Sequence, residues 1–471
     1  MPALHELSAV ELGRAYRAGE VSPVAVTQAV LAHIERWEPH LHATWALDAQ
    51  QALAMARASE SRWQRGQPRG ALDGVPVTLK ENIATRGVPL PLGSAATDLQ
   101  PAPEDAPPAA RLREAGAVFI CKTTMPDYGM LSSGLSSFHA QFGKATRNPW
   151  ALDKNPGGSS AGAGAAAAAG YGPLHLGTDI GGSIRLPATW CGVVGFKPSA
   201  GRVPILPPYL GRVAGPITRS VADAALLMAT LSLPDDRDAT RLPYQDIAWT
   251  DLGPGDGPGV RGLRIGLLLD AGWGLPLDGD IDAAVRDAAR RFEAAGAIVE
   301  PLAPFTTREM ADGIDRFWRM RCWLDLAALT PARRERVLPF IRAWADAAQG
   351  CSAAQLFRAY SQFASLRDAA AAACAPFDAV ISPVAPVSAF DATWAMPTHD
   401  PQRAMEHIGY TLPFNMSEQP ALSVPCAHTA AGLPIGLQIV GRRHDDLGVL
   451  RLARDWERLR APLQPWPLPP D

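Results

Sequence analysis

The sequence predicts an α/β protein: one α/β/α domain over residues 1–471, built around a large, mixed and mostly parallel β-sheet. Helix-forming and β-branched segments alternate at 107–121, 159–176 and 263–299, and strands separated by helices assemble side by side beneath helical layers. Hydrophobic residues make up 47% and charged residues 19% of the 471, a balance that supports a large core and excludes general disorder. No internal repeat or low-complexity tract interrupts the pattern.

Residues 1–65 read as N-terminal helices. Ser22-Pro23 supplies an N-cap and a proline at the first helical position, and Val24, Val26, Ala29, Val30 and Ile34 follow at helical spacing. The core of the domain is expected over 66–235. Its first strand, residues 74–79, ends at Lys80, the strand edge where α/β proteins tend to place chemistry. A helix and the strand Ala117–Cys121 come next, then a helix-strand unit from Ser159 to Leu176. The Pro-, Gly- and Asp-rich stretch 234–262 reads as a surface loop, an excursion without a domain boundary. In the variable region 236–410, strand 263–269, helix 281–295 and strand 297–299 resume the alternation, and 306–375 is nearly all helix formers. Phe317, Trp318, Trp323, Phe340, Trp344, Phe357, Tyr360 and Phe363 lie within that stretch and read as core packing. Strands at 379–382, 421–424 and 436–440 follow, and residues 411–471 return the chain to the sheet.

The net charge of −3, from 44 Lys plus Arg against 47 Asp plus Glu, leaves no basic surplus for a phosphate backbone and excludes nucleic acid as a partner. The six cysteines form no CxxC pair and no metal-ligand spacing. They read as small buried apolar side chains of a reducing compartment. Glu6, Glu11 and Arg14 break the apolar run a signal peptide would need, and no later stretch reaches ~18 apolar residues. The expectation is a cytoplasmic protein with no membrane partner, no metal and no cofactor.

Two glycine- and serine-rich stretches carry the chemistry: Asn155-Pro-Gly-Gly-Ser159-Ser-Ala-Gly162 and Gly177-Thr-Asp179-Ile-Gly-Gly-Ser183-Ile-Arg185. Neither is a Walker A loop, a dinucleotide fingerprint or a GxSxG nucleophile elbow. Gly181-Gly182-Ser183 lacks side-chain bulk, so consecutive backbone N–H groups can converge beside a hydroxyl, as an oxyanion hole requires. An attacking serine also needs a base. His139, His175 and His428 carry no motif and read as structural or surface residues. A lysine can serve if burial or neighbouring cations bring its pKa from ~10.4 down to about 7 or 8, and Lys80 at its strand end fits.

Lys80 in Gly-Val-Pro-Val-Thr-Leu-Lys-Glu-Asn, Ser159 in Gly-Gly-Ser-Ser-Ala-Gly and Ser183 in Gly-Thr-Asp-Ile-Gly-Gly-Ser-Ile-Arg-Leu-Pro-Ala together resemble the amidase signature family. The serines' separation from 159 to 183, Cys191-Gly-Val-Val-Gly-Phe-Lys-Pro198, and the C-terminal segments 419–425 and 432–441 extend the likeness. Ala161 and Ala163 depart from it, standing where the family often has glycine and serine. The resemblance implies the family's fold and a Ser-Ser-Lys triad: Ser183 as nucleophile, Ser159 on a cis peptide as proton relay, and Lys80 as base. The backbone amides of Ile180, Gly181, Gly182 and Ser183 would form the oxyanion hole. Asp179 and Arg185 flank the nucleophile with opposite charges and read as a salt bridge bracing the loop. Tyr128, Met130 and Ser133 fall in a segment similar to one bordering the family's acyl pocket.

The implied activity is hydrolysis of a carboxylic amide through an acyl-enzyme on Ser183, with esters or carbamates (urethanes) as side substrates because they share the tetrahedral oxyanion. The substrate is expected to be a small apolar or aromatic amide, and the protein a monomer or homodimer. One alternative is the glutamine-hydrolysing subunit of a transamidation complex. Another, of a different class, is a catalytically silent binding protein on the same fold, which fluorophosphonate labelling would distinguish.

Overall fold

In the computed structural model, which describes residues 3–253 and 259–470, eleven strands among the described residues form one sheet. They are β1 (Thr44–Trp45), β2 (Pro76–Lys80), β3 (Val118–Thr123), β4 (Leu174–Asp179), β5 (Val194–Lys197), β6 (Val213–Thr218), β7 (Arg264–Leu267), β8 (Ile298–Pro301), β9 (Ala379–Pro383), β10 (Ala421–His428) and β11 (Pro434–Gly441). Their order is β1-β3-β2-β4-β6-β5-β10-β11-β9-β7-β8.

The sheet is mixed, and "mostly parallel" describes only a run of three strands towards each edge, since the edge strand β1 is antiparallel to β3. β3, β2 and β4 run parallel, as do β8, β7 and β9, while the centre from β4 through β6, β5, β10 and β11 to β9 is antiparallel. Parallel neighbours need a crossover of a dozen or more residues, and the flanks have helices to provide it. β10 and β11 are joined by a short turn closed by Thr429 N–H donating to the Leu433 carbonyl at 2.8 Å, a connection only antiparallel strands allow.

The N-terminal helices form at Ala9–Ala18, Pro23–Leu41 and Ala49–Gln64, and the Ser22 side chain caps the second by accepting from Ala25 N–H. Leu12, Val26, Val30 and Ile34 pack under the sheet in the larger core. Helix Ala161–Ala169 is buried on every face, so it has no apolar stripe, and only small side chains fit: a Cβ on Gly162 would meet Thr124 N at 2.4 Å.

Helices Arg308–Ala327, Pro339–Asp346 and Ala353–Cys374 contribute to a second core beside the sheet. Trp318, Trp344 and Phe363 are buried in it, and Trp344 Nε1 donates to Asp315 at 2.9 Å. The core reading of the aromatics does not hold for Phe357 and Tyr360, which are 72% and 50% exposed, because they occupy the outward face of their helix. Between 234 and 262 the described residues contain no helix or strand, and 254–258 of that expected loop lie outside the described residues.

Candidate active site

β2 and β4 are parallel neighbours, with Thr78 opposite His175 and Leu79 opposite Leu176. Their C-terminal residues therefore emerge side by side: Lys80 from β2, Thr178 and Asp179 from β4. The Lys80 side chain is fully buried. Its Nζ lies 2.8 Å from Ser159 Oγ and 2.9 Å from Thr178 Oγ1, which also accepts from Asn82 Nδ2 at 3.2 Å. Burial lowers the Lys80 pKa well below the ordinary lysine value, and Arg212 lowers it further against the opposing charges of Asp179 and Glu81.

Ser159 and Ser160 precede the helix Ala161–Ala169, and the Gly158–Ser159 peptide is cis. The next serine fixes this turn to the sheet: Ser160 Oγ donates to the Thr178 carbonyl and accepts from Thr178 N–H, both at 3.2 Å. Gly158 is required here, since a Cβ on it would lie 2.6 Å from Ser133 N and 2.8 Å from the Leu131 carbonyl. Ser159 and Ser183 line the same cavity, and Ser183 is partly exposed to it.

The loop 180–184 is held by Asp179. Its carboxylate accepts from Gly182 N–H at 2.8 Å, Ile184 N–H at 3.0 Å and Arg185 Nη2 at 3.0 Å. Burial alone would raise the pKa of this carboxyl, but the Arg185 guanidinium outweighs it and holds Asp179 well below the usual carboxylate range. Arg185 also donates to Gln438 Oε1 at 2.7 Å, Asn415 Oδ1 at 2.6 Å and the Thr411 carbonyl at 3.0 Å. The ion pair is thus one part of a buried network with three residues that sequence reasoning missed, because they are more than 220 positions away. Thr411 Oγ1 donates to the Gly181 carbonyl at 2.6 Å, fixing that peptide. Gly182 has φ +126°, and a Cβ there would lie 2.7 Å from Thr411 Oγ1.

Of the four amides expected to form an oxyanion hole, Gly182 N–H is already engaged by Asp179, a correction to that expectation. The amides of Ile180, Gly181 and Ser183 make no hydrogen bond within the described residues, and all three residues border the cavity. The strand-end carboxylate accepts from the middle N–H and so orients its neighbours.

The cavity is about 440 Å³, large enough for a drug-sized molecule. Tyr128 and Met130 line it as expected from the sequence, with Leu131, Leu186, Trp318 and Ile408 completing an apolar wall. Ser133 does not border it: the residue is fully buried and its Oγ accepts from Leu135 N–H. Ser132 takes that place, bonded through Oγ to His407 Nε2 at 2.7 Å. Arg212 and Arg321 also face the cavity. His139 and His175 are buried in structural bonds, to Glu81 at 2.9 Å and to Thr78 at 2.8 Å. Among the described residues no cluster of His, Cys, Asp or Glu could hold a metal ion, and no helix is long and apolar enough to cross a membrane.

Residues 25–450 match the family model described as Amidase. The chain is 37% identical to a glutamyl-tRNA(Gln) amidotransferase subunit of Myxococcus xanthus (strain DK1622), with 97% of each chain covered. It is 32% identical to the protein of the same name from Synechococcus sp. (strain CC9902), covering 95% of this chain and 96% of that one. Among solved structures it superposes on a bacterial aryl acylamidase of the amidase signature enzymes with a TM-score of 0.87, at 29% identity and 97% coverage of both chains. Native peptide amidase from Stenotrophomonas maltophilia superposes with a TM-score of 0.82 at 28% identity, covering 98% of this chain and 99% of that one. With its sequence matched nearly end to end and its sheet shared with enzymes that cleave amides, the chain belongs to the amidase signature family.

Proposed function

We propose that the protein is a serine amidohydrolase that cleaves an amide C–N bond through an acyl-enzyme on Ser183. The observation that carries this reading is the 2.8 Å contact of a buried, pKa-depressed Lys80 with Ser159, on the cavity that Ser183 also lines. In the neutral state the Lys80 amine takes the Ser159 proton as Ser159 takes that of Ser183. Ser183 Oγ then bonds to the carbonyl carbon, and the carbonyl π pair moves to oxygen, facing the amides of Ile180, Gly181 and Ser183. On collapse the C–N bond breaks, and the amine departs with the proton returned from Lys80 through Ser159. Water repeats the sequence on the ester and releases the acid. Esters and carbamates present the same carbonyl to the same groups.

Two substrate readings have support. The names of the similar M. xanthus and Synechococcus proteins favour glutamine hydrolysis within an amidotransferase assembly. The apolar wall of Met130, Leu131, Leu186, Trp318 and Ile408, together with the structural likeness to an aryl acylamidase, favours a larger, partly apolar amide. The sequence likenesses back the first reading better, at 37% and 32% identity against 29% for the acylamidase; the wall's chemistry is the argument for the second. The deciding experiment is a hydrolysis screen of purified protein against L-glutamine, aryl anilides, peptide amides and aryl carbamates. Glutamine turnover that appears only with a copurifying subunit decides for the first. Failure of a fluorophosphonate to label Ser183, with no turnover of any of these, supports a binding protein instead.

A further inference from the structure

Most buried arginines of this protein answer to a carboxylate: Arg185 to Asp179, Arg202 to Asp446 and Arg319 to Asp315, at 3.0, 3.0 and 2.5 Å. Arg219 instead donates to the carbonyls of Ala167 and Ala168 at a helix end. Arg212 and Arg321 differ. Both line the catalytic cavity, and neither forms an ion pair with any carboxylate among the described residues. The Arg212 guanidinium has a single long bond, to the Pro207 carbonyl at 3.4 Å. Arg321 lies over the Tyr209 ring, 3.9 Å from its centroid, a stacking contact on the face of the guanidinium.

Arg321 is close enough to act on the Arg212 charge. Burial, with Arg321 nearby, lowers the Arg212 pKa to about 10. Asp179 is saturated by its own loop and Arg185. Asp325, one helical turn beyond Arg321, also lines the cavity and feels the Arg321 charge, but it is exposed and forms no ion pair with it. Two like charges on one apolar cleft, neither in an ion pair, make a site that can take an anion.

Resting on the amidase reading above, we propose that this cleft selects amides that also carry an ionised carboxylate, held by Arg212 and Arg321 while the apolar body lies along Met130, Leu131 and Trp318. The substrate is then an acid-terminated apolar amide. Glutamine, with a carboxylate and an ammonium group, has the same anion but no apolar body.

The test compares matched amides. Adipic acid mono-4-nitroanilide and its neutral isostere 6-methylheptanoyl 4-nitroanilide place or omit the charge on the acyl side. The heptanoyl anilides of 4-aminobenzoate and of aniline do the same on the amine side. L-glutamine and glutaramate, which lacks the ammonium group, distinguish an amino-acid substrate from a simple acid. The quantity read is the ratio of kcat/KM for the charged over the neutral member, on the plateau of each protein's pH profile. The wild type should favour the charged member of at least one pair on the order of 10- to 100-fold, the range of hydrogen bonds to a charged group. Arg321→Gln and Arg212→Gln should each bring the ratio towards one, and Arg321→Lys should retain part of it. Equal rates within both pairs in the wild type, or a ratio unchanged in both glutamine variants, overturn the proposal.

A protein that cleaves none of these amides fails the amidase reading instead, and the arginine pair is then read by calorimetry. Ser183→Ala should bind adipic acid mono-4-nitroanilide at least ten times more tightly than the neutral isostere. Ser183→Ala/Arg321→Gln should lose that difference. Equal binding of the two anilides by Ser183→Ala overturns the proposal regardless of catalysis.

Discussion

The base role proposed for Lys80 requires its neutral form, and burial is what makes that form available below the ordinary lysine pKa. The folded protein holds this lysine deprotonated more readily than an exposed one, so activity should rise with pH along a limb set by Lys80 and lying below the ordinary lysine value. Because Arg212 depresses the same group, Arg212→Gln should move that limb to higher pH. A kcat/KM profile from pH 5 to 10 tests both statements, and an unmoved limb would separate Arg212 from Lys80. Ser183→Ala should reduce turnover to near background and abolish the fluorophosphonate adduct expected on Ser183, which mass spectrometry checks. Lys80→Ala should cost amides several orders of magnitude and esters less, since an alkoxide leaves without the proton an amine needs. Equal losses on a matched amide and ester would indicate a collapsed site. Lys122 and Lys197 show why the residue alone is not diagnostic: both are buried with pKa values lowered by burial to about 7, yet Lys122 donates to Thr85 at 2.9 Å and Lys197 to the Pro198 carbonyl at 3.0 Å, with no serine beside either.

At the scale of elements, the loop 180–184 depends on a strand end and a distant helix. β4 delivers Asp179, and helix Leu412–Met416 with the residue before it delivers Asn415 and Thr411. Asp179→Asn keeps the shape but leaves Arg185 buried without its counter-charge, which should cost about 3 to 5 kcal/mol of stability in urea unfolding. The same change removes the carboxylate that orients Gly182 N–H. With the neighbouring Ile180, Gly181 and Ser183 amides no longer held in place, kcat should fall by up to the order of 10² to 10³ that loss of one oxyanion donor costs, with a smaller change in KM. Normal kcat in a destabilised variant would show that the brace serves folding alone.

The whole molecule carries buried neutral histidines, and these set its response to acid. Burial lowers His175 to a pKa of about 3, while the unfolded chain protonates histidine near ~6.5. A depressed folded pKa contributes stability that is complete above pH ~6.5 and lost as pH falls towards 3, with a slope of about 1.4 kcal/mol per pH unit in that window. His175→Gln should therefore be less stable than wild type at pH 8, with a deficit that narrows as the pH drops from 6.5 to 4. Thermal melts at those pH values measure it, and a constant deficit would mean that His175 is not held neutral.

The sequence by itself determined what is local. Strand β2 ending at Lys80, the helix-strand units before β3 and β4, and the two serine loops were legible because periodicity, capping and short glycine-rich runs act between near neighbours. The aromatic helices of 306–375 were legible as helices, but not which faces would be buried. Tertiary structure alone decided the rest. β5, β6 and helix Val221–Leu231 escaped the reading because their strands are short and buried and their pattern does not alternate. The antiparallel centre of the sheet follows from which strands pair, a long-range choice with no local sequence signal. The engagement of Gly182 N–H by Asp179, the retreat of Ser133 behind Ser132, the Thr411–Asn415–Gln438 support and the meeting of Arg212 with Arg321 all depend on how the folded chain is arranged in space. A side chain's polar partner is fixed by the atoms the fold brings within 3 Å, and a linear sequence does not encode that distance.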